Sequence, residues 1–174
     1  MTDRKSLFMI RFVGEGELWI DEASLSLAGS KPQSKLQSKS VDKGNNYIVN
    51  GSFELGLERW AVQFRESGGY EYSPLISYLN RRPTIDTKTA VNGRSSLRLE
   101  IPEHGVVVLT SPYHRVNTGK EYTLSLYLKS EPSGLRVEYG LQSGYLGKGK
   151  RFDKTSLVTA KWKRFEIKER LPIT

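Results

Sequence analysis

The chain has 174 residues, 37% of them hydrophobic and 26% charged, with a formal net charge of +8 at pH 7 and no cysteine. That length suits one well-packed domain better than two with thin cores. Without cysteine there are no disulfides, thiol nucleophiles or thiolate metal sites, which leaves oxygen as the expected metal ligand, and no apolar stretch approaches the roughly 20 residues of a membrane span, so a soluble chain is expected.

Taken from its start, the sequence opens on Met1-Thr2-Asp3-Arg4-Lys5-Ser6, which is charged and lacks the apolar core and small-residue cleavage site of a signal peptide. Residues 7–27 read as two strands around a Gly14-Glu15-Gly16 turn. The second has a period of two, and Leu18 and Ile20, then Ala23, Leu25 and Leu27, are expected to face a core, while Trp19 fits either side. From Gly29 to Asn46 the chain is Ser, Lys, Gln, Gly and Asn with almost nothing to bury, and a flexible linker is expected over 29–46.

Beyond it, strands are expected near 47–50, 60–65, 70–78, 95–101, 105–111, 121–130, 134–142, 152–159 and 162–169, divided by Gly, Pro and Asn-Gly. Helical periodicity is nearly absent and no internal repeat is visible. Many short strands at this spacing indicate an all-β sandwich or jelly roll.

The positive charge is spread rather than concentrated. Part lies in Lys31, Lys35, Lys39 and Lys43, part in Lys161, Lys163, Arg164, Lys168 and Arg170. A solvated surface is the simplest reading; an acidic polysaccharide is the next, and neither nucleic acid nor a membrane is an expected partner. For catalysis the inventory is thin. His104 and His114 have no cysteine partner, and no Gly-x-Ser-x-Gly elbow occurs. Asp and Glu are numerous enough to leave a glycosidase pair open by count, since sequence spacing does not set carboxylate separation, but a small sandwich rarely supplies a deep cleft. A non-enzyme is expected.

Tyr47-Ile48-Val49-Asn50-Gly51-Ser52-Phe53-Glu54, followed by Gly56-Leu57-Glu58-Arg59-Trp60, resembles the opening of carbohydrate-binding modules attached to xylanases and cellulases. Asn92-Gly93-Arg94-Ser95-Ser96-Leu97-Arg98-Leu99 and Thr118-Gly119-Lys120-Glu121-Tyr122-Thr123-Leu124 resemble later segments of the same family, and Trp162 sits where a Trp often opens a late strand. The resemblance implies a galactose-binding domain-like β-sandwich with Trp60, Tyr122 and Trp162 in its core. The family closes on two strands of the type Phe-x-Gly-x-Gly-x-x-x-Ile-Asp. Here that pattern stands at the front, as Phe12 to Asp21, so the resemblance implies a circularly permuted strand order in which residues 7–27 complete the sandwich formed by 47–174. An 18-residue flexible linker spans about 24 Å, enough to connect the two parts. A monomer is expected; exchange of segment 7–27 between two chains, or an unpaired tail from a tandem array, are the alternatives.

The resemblance also implies a structural Ca²⁺ where the opening and closing motifs meet. Carried over, its side-chain ligands are Asp21 and Glu54, with oxygens from Ser52 and from the loop Asn92 to Ser95, a donor set that suits a hard cation. For sugar recognition, alternation on strand 134–142 puts Leu135, Val137, Tyr139 and Leu141 on one face and Arg136, Glu138 and Gln142 on the other. With Tyr145, raised by the Gly-rich run 142–151, these make the expected carbohydrate site. Tyr70, Tyr72, Tyr78, Arg81, Arg82, His104 and Tyr113 are second-rank candidates. The function implied is non-catalytic polysaccharide binding, outside the cell or on its surface, as part of a larger protein. The alternative is a structural or protein-interaction sandwich without sugar affinity.

Overall fold

A computed structural model describes residues 3–29, 46–66, 83–101, 105–117, 119–143 and 151–170. In chain order the strands are β1 (Asp3–Val13), β2 (Gly16–Leu27), β3 (Ala61–Glu66), β4 (Thr84–Asp86), β5 (Ser96–Ile101), β6 (Gly105–Thr110), β7 (His114–Asn117), β8 (Glu121–Glu131), β9 (Leu135–Ser143), β10 (Arg151–Val158) and β11 (Lys163–Arg170). They form two antiparallel sheets, ordered β10-β9-β1-β6-β3, with β7 also on β1, and β11-β8-β2-β5-β4. The fold is an all-β sandwich.

The reason lies in the alternation. Phe8, Ile10 and Phe12 on β1, Val107 and Leu109 on β6, and Val137, Tyr139 and Leu141 on β9 point inward from the first sheet. Leu18, Ile20 and Leu25 on β2, Leu97 and Leu99 on β5, and Leu124, Leu126 and Leu128 on β8 meet them from the second. Burying a fully covered Leu, Ile or Phe is worth about 1.5–3 kcal/mol, so facing rows of this kind dominate the folding energy. Tyr122 is buried with them and its hydroxyl accepts the Asn117 N–H at 2.8 Å.

β1 and β2 do not pair with each other; β1 lies between β9 and β6, and β2 between β8 and β5. The Gly14–Gly16 turn therefore crosses the core from one sheet to the other, because both strands carry an apolar row that must face the other sheet. Gly16 enters this crossing at φ 145°, and a Cβ there would come within 2.5 Å of the Glu131 carbonyl oxygen. The two strands are central, one in each sheet.

Other differences are smaller. Residues 47–50 form no strand: Asn46 bridges to Ser26, and its Oδ1 accepts the Leu25 and Ile48 N–H groups at 3.0 Å before the chain turns. β4 and β7, three and four residues long, were not expected. Trp162 is half-buried instead of core, its indole N–H donating to Thr89 Oγ1 at 3.0 Å. The strand expected at 70–78 and most of the linker expected at 29–46 lie outside the described residues.

Candidate functional site

Two places gather the residues of interest. The first is built by the turn 49–60. Asn50 is buried at φ 55°, donates through Nδ2 to the carbonyls of Gly56 and Glu58, accepts the Leu55 N–H at Oδ1, and offers its carbonyl to the Trp60 indole. One side chain thus satisfies three backbone groups of the turn, while Phe53 and Trp60 pack at 5.2 Å beneath it. Gly51 lets the turn sit on β2: its carbonyl accepts the Ala23 N–H at 2.9 Å, and a Cβ would fall 1.9 Å from the Ala23 carbonyl oxygen.

Where the turn lands, β2 has slipped register against β8 between Asp21 and Ser24, with Glu22 at φ 50°. The bulge aims Asp21 at the β4–β5 loop. Fully buried Asp21 accepts the Val91 and Asn92 N–H groups at Oδ2 (2.7 and 3.3 Å) and the Glu22 N–H at Oδ1 (2.7 Å). Glu54 Oε1 accepts the Arg94 and Ser95 N–H groups at 2.7 and 2.8 Å, and Gly93, at φ 72°, passes so close that a Cβ would sit 2.5 Å from that oxygen. Asp21, Glu54, Asn92 and Ser95 therefore come together, with Ser52 in the adjoining turn. Glu22 belongs to the same cluster and was missed, although the step from Leu18 and Ile20 to Ala23, Leu25 and Leu27 in the apolar row marks the slip beside it.

The electrostatics of this cluster are unbalanced. Burial pushes Asp21 up to about 6, against the lowering effect of three backbone hydrogen bonds, and the charge of Glu22 adds to the rise. Glu22 is raised as well, first by burial and then by Glu54, with an Asn92 hydrogen bond opposing. Among the described residues no three acidic or histidine groups form a ready-made ion cage. The donor chemistry nonetheless fits a hard cation: carboxylate oxygens in partly desolvated surroundings, with excess negative charge.

The second place is the outer face of the six-stranded sheet. Arg136 and Glu138 alternate with buried Leu135, Val137 and Tyr139, as expected, and so lie on the side away from the core. Arg11, between buried Ile10 and Phe12 and opposite Glu138 in the β1–β9 register, joins them. Its Nη1 reaches Glu138 Oε2 at 3.0 Å, while Arg136 Nη2 lies 3.3 Å from Oε1. Beside them Leu157 is 64% exposed, opposite Arg136, and Val106 and Val108 extend the apolar floor on β6. Gln142 pairs with Leu7 and Arg151 farther along β9, at the end that leads toward residue 145. Tyr145, Tyr70, Tyr72, Tyr78, Arg81, Arg82 and His104 lie outside the described residues; Tyr113 is exposed between β6 and β7, apart from the triad.

The other sheet also presents an outward aromatic. Trp19 lies between Lys129 Nζ at 4.6 Å and the Arg98 guanidinium at 5.7 Å from its ring centre, and its indole N–H donates to Asp86 Oδ2 at 2.7 Å. Arg98 pairs with Glu17, which raises the guanidinium's pKa. These partners leave Trp19 only 5% exposed, so its faces are already used. On β7, His114 Nε2 stands 3.1 Å from Ser111 Oγ, but that hydroxyl accepts the Phe8 N–H and contacts the Pro112 carbonyl, and burial lowers the imidazole pKa.

No family model matches this chain, and no curated protein matches it. Among solved structures it is similar to a domain of unknown function, DUF4425, from Bacteroides vulgatus, at 12% identity and a TM-score of 0.31 over 98% of each chain. A likeness at that score carries no argument about fold or function.

Proposed function

We propose that this chain is a non-catalytic polysaccharide-binding module, with Arg136, Glu138, Gln142 and Tyr145 from the sequence reading, together with Arg11, at its ligand face. The observation that carries this reading is the triad Arg11–Glu138–Arg136, three planar polar side chains at the surface of a broad antiparallel sheet with exposed Leu157 alongside. Such groups hydrogen-bond sugar hydroxyls from a shallow surface while apolar neighbours cover C–H faces. The proposed role is to hold an attached enzyme or cell-surface protein on glycan, outside the cell, as a monomer.

The same reading includes a structural Ca²⁺ held by Asp21 and Glu54, with oxygens from Ser52 and residues 92–95, and a permuted strand order in which β1 and β2 stand for the family's closing pair. A bound divalent ion would supply positive charge that the cluster lacks. Asp21 and Glu54 would then fix the loop both through its N–H groups and through the ion. Thermal melts in calcium and in excess chelator test this: a lower Tm in chelator supports the ion, and identical melts remove it. Affinity electrophoresis against neutral and acidic glycans tests the binding role. Retardation by any of them supports it; uniform failure to retard favours a structural or protein-interaction sandwich.

A further inference from the structure

We infer that the face carrying Arg11, Glu138 and Arg136 selects acidic over neutral polysaccharide, the two guanidiniums taking the carboxylates of a uronate chain. The inference rests on the sugar-binding reading of the same face. Glu138, only 17% exposed on its side chain, is gripped from both sides, Oε2 by Arg11 and Oε1 by Arg136, whose side chains stay 40% and 58% exposed. Each guanidinium carries five N–H donors in a planar fork matched to a carboxylate, and each directs one nitrogen at Glu138. The triad sums to +1. The residues directly opposite the triad's members on the neighbouring strands, Val13, Val108, Thr155 and Leu157, are neutral.

Neutral pyranoses are held chiefly by aromatic stacking. The outward side chains described on β1, β6, β9 and β10, such as Met9, Val13, Thr110, Thr155 and Leu157, include no aromatic. Apart from Tyr145 of the proposed face, charge-assisted bonds are what these strands offer, and they are roughly twice as strong as neutral ones. Glu138 occupies the position between the forks that a ligand carboxylate would share. It therefore acts as an internal competitor as well as an anchor that spaces the arginines.

That dual role makes the test specific. Affinity electrophoresis of the full chain would be run against polygalacturonate and against a neutral xylan, at low salt and at about 0.3 M salt. Retardation by polygalacturonate alone, weakened by salt, is expected. Arg11→Gln with Arg136→Gln should weaken it by about tenfold, Glu138→Gln should strengthen it severalfold, and Lys161→Gln with Lys168→Gln on β11 and its approach should leave it within about twofold. Thermal melts of each variant confirm folding. Retardation by xylan alone overturns acid selectivity and leaves the sugar reading standing; retardation by neither polymer overturns both. Equal loss in the lysine and arginine variants overturns the inference in favour of diffuse charge, and so does weaker binding by the Glu138→Gln protein.

Discussion

Asp21 and Glu138 both collect donors from distant parts of the chain, but donors of different kinds and exposure. Asp21 is wholly buried and takes backbone N–H groups from the β4–β5 loop, 70 residues away; Glu138 sits at the surface and takes two arginine side chains, one of them 127 residues away. Backbone donors have nowhere else to go without unfolding the loop, so the first arrangement is architectural. Solvated guanidiniums can exchange a partner at small cost, so the second can turn to a ligand. Each arrangement joins β1 or β2 to the body of the chain, and both depend on those strands being in place.

The harshest way to break the comparison is to remove residues 1–28. This takes the central strand from each sheet, with Phe8, Ile10, Phe12, Leu18, Ile20 and Leu25 from the core, and a complete loss of cooperative thermal unfolding is expected. A deleted protein that still melts cooperatively as a monomer would show that β1 and β2 are dispensable. Next in size is Gly51→Ala, whose methyl group would press on the Ala23 carbonyl. A loss of about 3 kcal/mol or more in urea unfolding is expected, with the Asp21 end of the molecule failing first by amide exchange.

A gentler probe is pH. Asp21 holds its proton more tightly when folded, near 6 against 3.8, so its contribution is fully present below about pH 3.8 and is lost as pH rises through about 6. In metal-free protein, stability relative to Asp21→Asn should fall across that window by up to about 3 kcal/mol, and calcium should flatten the fall. An increase with pH would contradict the burial of the acid. Smallest of all, Arg11→Gln should change the unfolding free energy by less than about 1 kcal/mol, because the pair it breaks is solvated. A larger loss would move the triad into the architectural class.

How much of this was readable beforehand follows from the range of the interactions. Alternation is local, so the inward rows of β2 and β9 were legible, as was the split of Arg136 and Glu138 from Leu135, Val137 and Tyr139. The Asn50-Gly51-Ser52-Phe53-Glu54 run was legible as a motif, although the distinct jobs of Asn50 as turn staple, Gly51 as close-approach point and Glu54 as loop anchor needed coordinates. Arg11 was not singled out, since only the register of β1 on β9 brings it to Glu138. Glu22 was missed, although the step in the apolar row marks the bulge beside it. That the first two strands go to different sheets was not legible, because the residues of a Gly-x-Gly turn do not say whether it closes a ladder or crosses a core. Trp162 was assigned to the core by analogy, but its indole found Thr89 on the covering loop instead.

The sugar-binding reading is tested most directly by mapping where ligand touches the protein. Backbone amide spectra of ¹⁵N-labelled protein would be followed during titration with an oligogalacturonate. Progressive shifts clustered on β1 and β9 around Arg11, Arg136 and Glu138, with the β4–β5 loop unmoved, are the expected result. Shifts confined to the Asp21 end or to the Trp19 face, or no shifts at all, would contradict it.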